Sequence, residues 1–171
     1  MKYLVHAPGL GHAQLQPPEA FGAAVWLAMQ APKVKNLALH QLSQLVLQPQ
    51  AAHSDILVMS LDQSGKWQPR LWLAYAQMSA EHERDYVRNP SVPLPAQAWH
   101  SGDRLWLLHL IAHPQYDHAL HQVLQDLFTQ RSARSLSPDS HRNGQRIVTW
   151  RGTDCNHTQA QTYWQQRPIL A

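Results

Sequence analysis

The chain is poor in the features that mark specialised protein classes. Its 171 residues contain one cysteine, Cys155. An internal disulfide is therefore excluded, and so is a cysteine-based zinc site. Cys155 stands in the polar stretch TDCNHT near the C-terminus. It reads as an incidental thiol rather than a nucleophile. Charged residues make up only 15% of the chain, and the net charge is +3. That charge is too mild and too scattered for a nucleic-acid footprint. Long hydrophobic runs are missing too. No segment approaches the roughly 18 apolar residues of a membrane span. The N-terminal MKYLVHAPGLGHAQLQPPEA reaches Pro and Gly after a very short apolar run, which is no secretory signal. The expected location is the cytoplasm. No internal repeat is visible, and the length suits one domain.

What the chain has in excess is histidine, with 12 residues. Histidine serves as pH switch, metal ligand or general base. In a sequence this rich in glutamine, most of the histidines read as tolerated polar residues. Arg131, Arg134, Arg142, Arg146 and Arg151 gather in the C-terminal third. They suit either a solvated face or an acidic partner protein.

The patterning predicts a layered domain. Residues 1–17 read as a loose leader rich in Gly, His and Pro. PEAFGAAVWLAMQ (18–30) predicts a helix with Phe21, Val25 and Met29 on one face. NLALHQLSQLVLQ (36–48) predicts a second, with Asn36 as N-cap and Leu39, Leu42, Leu45 and Val46 as its stripe. DILVMSL (55–61) and PRLWLAYAQ (69–77) predict a hairpin across the turn 62–68. Ser79 caps a short helix over 80–88, with Glu81 and Glu83 in its first turn. Three prolines make 89–103 a loop. RLWLLHLIA (104–112) is apolar on both faces, which predicts a central strand. DHALHQVLQDLFTQ (117–130) predicts a helix, QRIVTWR (145–151) a strand and TQAQTYWQQR (158–167) a last helix. Hairpin-linked strands with helices between them predict an α/β or α+β fold, with the folded domain over 18–171.

Within SGDRLWLLHLIAHP, His109 sits deep in an apolar strand. A buried histidine satisfied by a hydrogen bond is one reading, and a catalytic imidazole is the other. His113, His118 and His121 with Asp117 form a second group. Three imidazoles can hold zinc, yet Asp117 reads equally well as a helix N-terminal carboxylate, and no metal is expected.

Four segments together carry a family likeness. FGAAVWLAMQAP (21–32), PRLWLAYAQMSAEHERDYV (69–87), AWHSGDRLWLLHLIAHP (98–114) and RIVTWRG (146–152) occur in an order and spacing that resembles the toxin-activating lysine acyltransferases. The likeness covers residues 19–165, and its most specific part is W-x-S-G-D-R-L-W. It implies a single-domain GNAT-like fold with a central, mostly antiparallel sheet flanked by helices. It also implies transfer of a fatty acyl chain from acyl carrier protein to a lysine ε-amine of an RTX-type protoxin. No bound cofactor is implied, the acyl carrier protein being the donor substrate. Some family members are homodimers, and a heterodimer with a paralogue is a further partner expectation.

The family's catalytic pair is a histidine and an aspartate. By the same resemblance, the histidine position is Val34 and the aspartate position is His109. The chain is thus a divergent member that lacks both. Lysine, with a pKa of about 10.4, must lose a proton before it attacks a thioester, and the Val34 side chain cannot take it. His109, with an ordinary pKa of about 6.5, can. His40, six residues past Val34, is the second candidate base. Asp103 and Glu81 are carboxylates that can orient an imidazole. Trp26, Trp72, Trp99 and Trp106 are candidate walls of an acyl groove, or ordinary core. Gly102 serves the turn before the strand. Arg104 and Arg151 can meet an acidic carrier protein. Three functions are open to such a chain: a divergent acyltransferase using His109, a catalytically inactive relative that binds a toxin, carrier or active paralogue, and an acyltransferase with another donor or acceptor.

Overall fold

The computed structural model describes residues 2–31, 38–113, 117–139 and 144–170. Six strands form one sheet whose spatial order is that of the chain: β1 Tyr3–His6, β2 Asp55–Leu61, β3 Trp67–Met78, β4 Arg104–Ala112, β5 Ser132–Asp139 and β6 Gly144–Arg151. Pairs β1–β2, β2–β3 and β5–β6 are antiparallel, and β4–β5 is parallel. The expected α+β architecture, mostly antiparallel with helices between strands, is what forms. The helices are α1 Pro17–Gln30, α2 Leu39–Leu42, α3 Gln48–Ala51, α4 Ala80–Arg88, α5 Asp117–Leu127 and α6 His157–Gln165. A π-helical turn over Ser43–Leu47 joins α2 to α3. The Asn36 cap lies outside the described residues. The observed cap is Ala38, whose amide donates to Gln41 Oε1 at 2.8 Å.

Two compact units divide the chain. The first comprises Met1–Ala74 and His109–His121. Its core joins Ala20, Ala24, Leu27 and Ala28 of α1 to Val46, Leu57, Trp72 and Ile111. The buried face of α1 is therefore not the expected Phe21, Val25, Met29 stripe, and Met29 is 67% exposed. Three alanines let the helix lie close on the sheet, which a Phe–Val–Met face does not allow. Burying each large side chain there contributes about 1.5–3 kcal/mol.

Part of the segment read as a leader, Tyr3–His6, forms a strand. Tyr3–His6 pairs with β2, with Tyr3 opposite Ser60 and His6 opposite Leu57. The buried His6 ring fastens the segment that leads from β1 to α1. Its Nδ1 accepts the amides of Gln14 and Leu15 at 3.2 and 3.1 Å. Burial holds its pKa below the ordinary value, which keeps that nitrogen an acceptor.

The second unit comprises Tyr75–Leu108 and Gln122–Ala171. Ser79 caps α4 as expected, its hydroxyl accepting from the His82 amide. Strand β5 has no counterpart in the predicted elements. SARSLSPD offers one large apolar residue and a proline, so no alternation marks it. It forms because eight residues register against β6, from Ser132–Arg151 to Asp139–Gly144. Tyr75 meets Phe128 edge-on at 5.7 Å, and Tyr86 meets Trp106 at 5.3 Å.

Candidate functional site

Strand β4 carries the chemistry expected of the site, and a hydrogen bond at one end sets its register on β3. At one end the His113 amide donates to the Arg70 carbonyl at 2.8 Å. Before the other end, Gly102 packs on Met78 and Ser79, and its amide donates to Gln77 out of that register. So β4 runs back along β3. Counting from the Arg70–His113 pair sets Trp72 beside Ile111 and Ala74 beside His109. The shared core of Trp72 and Ile111 agrees with this register. Opposed residues share a sheet face, so His109 faces the side on which α1 packs.

His109 is half-buried. Desolvation lowers its pKa below the ordinary histidine value, so its ring is neutral at physiological pH. Among the described residues nothing offers it a hydrogen bond or an ion pair. A neutral imidazole of this kind can accept a proton from an incoming amine and return it later. His40 is exposed on α2, and no described contact joins it to His109. Val34 lies outside the described residues.

Of the orienting carboxylates expected for His109, Asp103 is committed elsewhere. Asp103 bonds Arg167 at 2.6 and 2.8 Å, and the guanidinium holds its carboxyl below the usual range. Tyr163 donates to the Asp103 carbonyl at 2.6 Å. Glu81 is exposed on the first turn of α4.

The W-x-S-G-D-R-L-W segment is a structural clamp in the second unit. Ser101 Oγ accepts the Ser79 amide at 2.8 Å and lies 2.9 Å from His82 Nδ1. A Cβ on Gly102 would stand 2.5 Å from the Met78 carbonyl oxygen. Arg104 pairs with Glu83 at 2.8 Å, and Arg134 does so at 3.1 Å. Trp106 Nε1 donates to the same carboxylate at 2.9 Å. Arg104 is therefore engaged internally. Gly102 also lines a cleft of about 430 Å³ with Gln77, Asp103, Leu105, Arg131 and Tyr163.

The four tryptophans separate by exposure. Trp72 and Trp106 are completely buried and Trp99 nearly so, whereas Trp26 is 39% exposed. Trp72 Nε1 also reaches the Leu45 carbonyl at 3.4 Å. Arg151 lines a second cleft, about 640 Å³, with Arg134, His157 and Trp164. His121 is exposed. Among the described residues, no group of three His, Cys, Asp or Glu side chains is placed to hold a metal ion. Nor is any helix among them long and apolar enough to cross a membrane.

Sequence reasoning missed Asp55. It opens β2, is 1% exposed, and its carboxylate makes no hydrogen bond to another described residue. Burial pushes its pKa up to about 6, against smaller opposing effects of its own amide and of His53. The available signal was an acid at the head of an apolar strand, on the same alternation as Leu57.

A sheet in chain order, antiparallel but for its β4–β5 pair and flanked by helices, is the α+β layout of a GNAT-like acyltransferase. The particular group emerges from comparison. The profile of the RTX toxin acyltransferase (HlyC) family matches residues 13–151, and the chain belongs to that family. It is 31% identical over 135 residues to the protein-lysine palmitoyltransferase CyaC of Bordetella bronchiseptica (strain ATCC BAA-588 / NCTC 13252 / RB50), covering 78% of this chain and 70% of that one. The CyaC of Bordetella parapertussis (strain 12822 / ATCC BAA-587 / NCTC 13253) gives the same identity and coverage.

Proposed function

We propose that this chain is a protein-lysine fatty acyltransferase that activates an RTX-type protoxin, with acyl carrier protein as donor and His109 moving the proton. The observation that carries this reading is the neutral, half-buried imidazole of His109 on the central strand of a chain matched by the family over residues 13–151. The relatives' name, protein-lysine palmitoyltransferase, supports lysine as acceptor and a long acyl chain as cargo.

The lysine nitrogen, once neutral, attacks the thioester carbonyl carbon. A C–N bond forms and the carbonyl electrons move to oxygen. His109 takes a proton from the nitrogen. The oxyanion collapses, the C–S bond breaks, and the imidazolium returns the proton to the departing thiolate. Arg146 and Arg151, exposed on β6, supply positive charge for an acidic donor protein.

Val34 favours a second reading. With an apolar side chain at the position of the family's histidine, the chain serves as a non-catalytic partner of a toxin, a carrier protein or an active paralogue. Intact-mass spectrometry of a protoxin fragment, after incubation with acyl-loaded carrier protein, decides between the two. Added acyl mass on lysine, lost in His109→Ala, supports the enzyme. A stable complex without added mass supports the binding partner.

A further inference from the structure

Ala74 has two neighbours that bear on His109. The β2–β3 register places Asp55 directly opposite Ala74. The β3–β4 register set by the His113–Arg70 bond places His109 on the other side of it. Directly opposed residues point to one face, so Asp55, Ala74 and His109 form a row across three adjacent strands. Strand spacing of about 4.8 Å puts the outer two Cβ atoms about 10 Å apart. Ala74, between them, is completely buried.

The geometry points to Asp55 as the positioning carboxylate of His109, acting across Ala74. The row replaces the missing family pair by shifting both partners: the imidazole stands on β4 and the carboxylate on β2. The Asp55 carboxylate has no hydrogen-bond partner among the described residues, His53 acting on it through its charge, and both groups are withdrawn from water. An aspartate and a histidine extending toward one another span most of the gap. A side-chain rotation or one water closes it, as catalytic hydrogen bonds often close only around substrate. At neutral pH the carboxylate accepts the imidazole N–H, which leaves the second ring nitrogen free to receive the lysine proton. His53, in the turn just before β2, is a further titratable group whose charge acts on the Asp55 carboxylate.

This assignment rests on the reading of His109 as the proton carrier, yet it can be tested apart from it. The ring nitrogens of His109 are followed by ¹⁵N NMR across pH in the full chain, with the resonance identified by its loss in His109→Gln. In Asp55→Asn the midpoint falls by about one pH unit, because an imidazolium loses its nearby carboxylate. In Ala74→Val, which separates the pair without removing either, it falls in the same direction. Circular dichroism confirms that both variants are folded. A midpoint unchanged in folded Asp55→Asn overturns the assignment, whatever the transfer activity. If transfer is present, Asp55→Asn lowers kcat at least tenfold and leaves KM for the acyl donor within twofold. If the wild-type chain transfers nothing, the function fails while the NMR result still decides the pairing.

Discussion

Glu83 and Trp106 are joined by a 2.9 Å hydrogen bond from the indole N–H to a carboxylate that is wholly buried. The same carboxylate balances Arg104 and Arg134. Removing the acid takes from two guanidinium groups the carboxylate they share and from the indole N–H its acceptor. Breaking a buried ion pair from one side costs about 3–5 kcal/mol. Glu83→Ala is expected to lower the unfolding free energy by that amount in urea titration. Trp106→Phe, which keeps the ion pairs, is expected to cost less, about 1–3 kcal/mol.

Gly102 gives a second prediction about the same segment. A side chain there collides with backbone atoms, the Met78 oxygen at 2.5 Å and Ser79 Cα at 2.7 Å. Backbone cannot swing aside as a flexible side chain does. Gly102→Ala is expected to destabilise the fold by about 2–4 kcal/mol, read as a lowered Tm in calorimetry. Substrate affinity, measured on the remaining folded protein, stays unchanged if the glycine serves the turn alone.

Asp55 makes the stability depend on pH. Its carboxyl titrates near 3.8 when unfolded and near 6 when folded. A raised folded pKa means that the folded state holds its proton more tightly. The associated stability is complete below about pH 4 and is lost as the pH rises through about 6. Two pKa units correspond to roughly 3 kcal/mol at most. Asp55→Asn is expected to be more stable than wild type at pH 7 and to lose the slope between pH 4 and 6 in denaturation curves. A residue that costs stability at working pH and also serves a function fits a common trade-off.

Most of the fold was legible because the core elements carry strong periodicity. RLWLLHLIA reads as a central strand and is one, with the predicted bounds 104–112. The helix over 80–88 announced itself through Ser79. What stayed hidden depended on partners distant in sequence. The strand Tyr3–His6 needs β2 beside it, and Ser132–Asp139 needs β6. The α1 face was misread because alanine carries little hydrophobic signal although it permits the closest packing. His109 was visible as an ionisable ring in an apolar run. Asp55 was not, because its place in a row with Ala74 depends on the β2–β3 register, which no local pattern encodes.

Two ways of building a catalytic pair on this fold can be set against each other. By the family resemblance, the usual arrangement has its histidine at position 34 and its aspartate at position 109, whereas this chain has Val34 and His109. The double variant Val34→His/His109→Asp restores the family arrangement and leaves Asp55 in place. If His109 depends on Asp55, adding Asp55→Asn to the wild-type chain lowers acyl transfer at least tenfold, in line with the roughly 10²–10⁴-fold range of positioned acid–base groups. Adding it to the double variant leaves transfer within about twofold, since that pair carries its own carboxylate. Steady-state transfer rates for the four proteins, measured with one acyl-loaded carrier and one protoxin fragment, give the coupling as a double-mutant cycle. Equal losses in both backgrounds would make Asp55 a structural residue of β2. A loss confined to the wild-type background would locate the displaced carboxylate of this chain's catalytic pair.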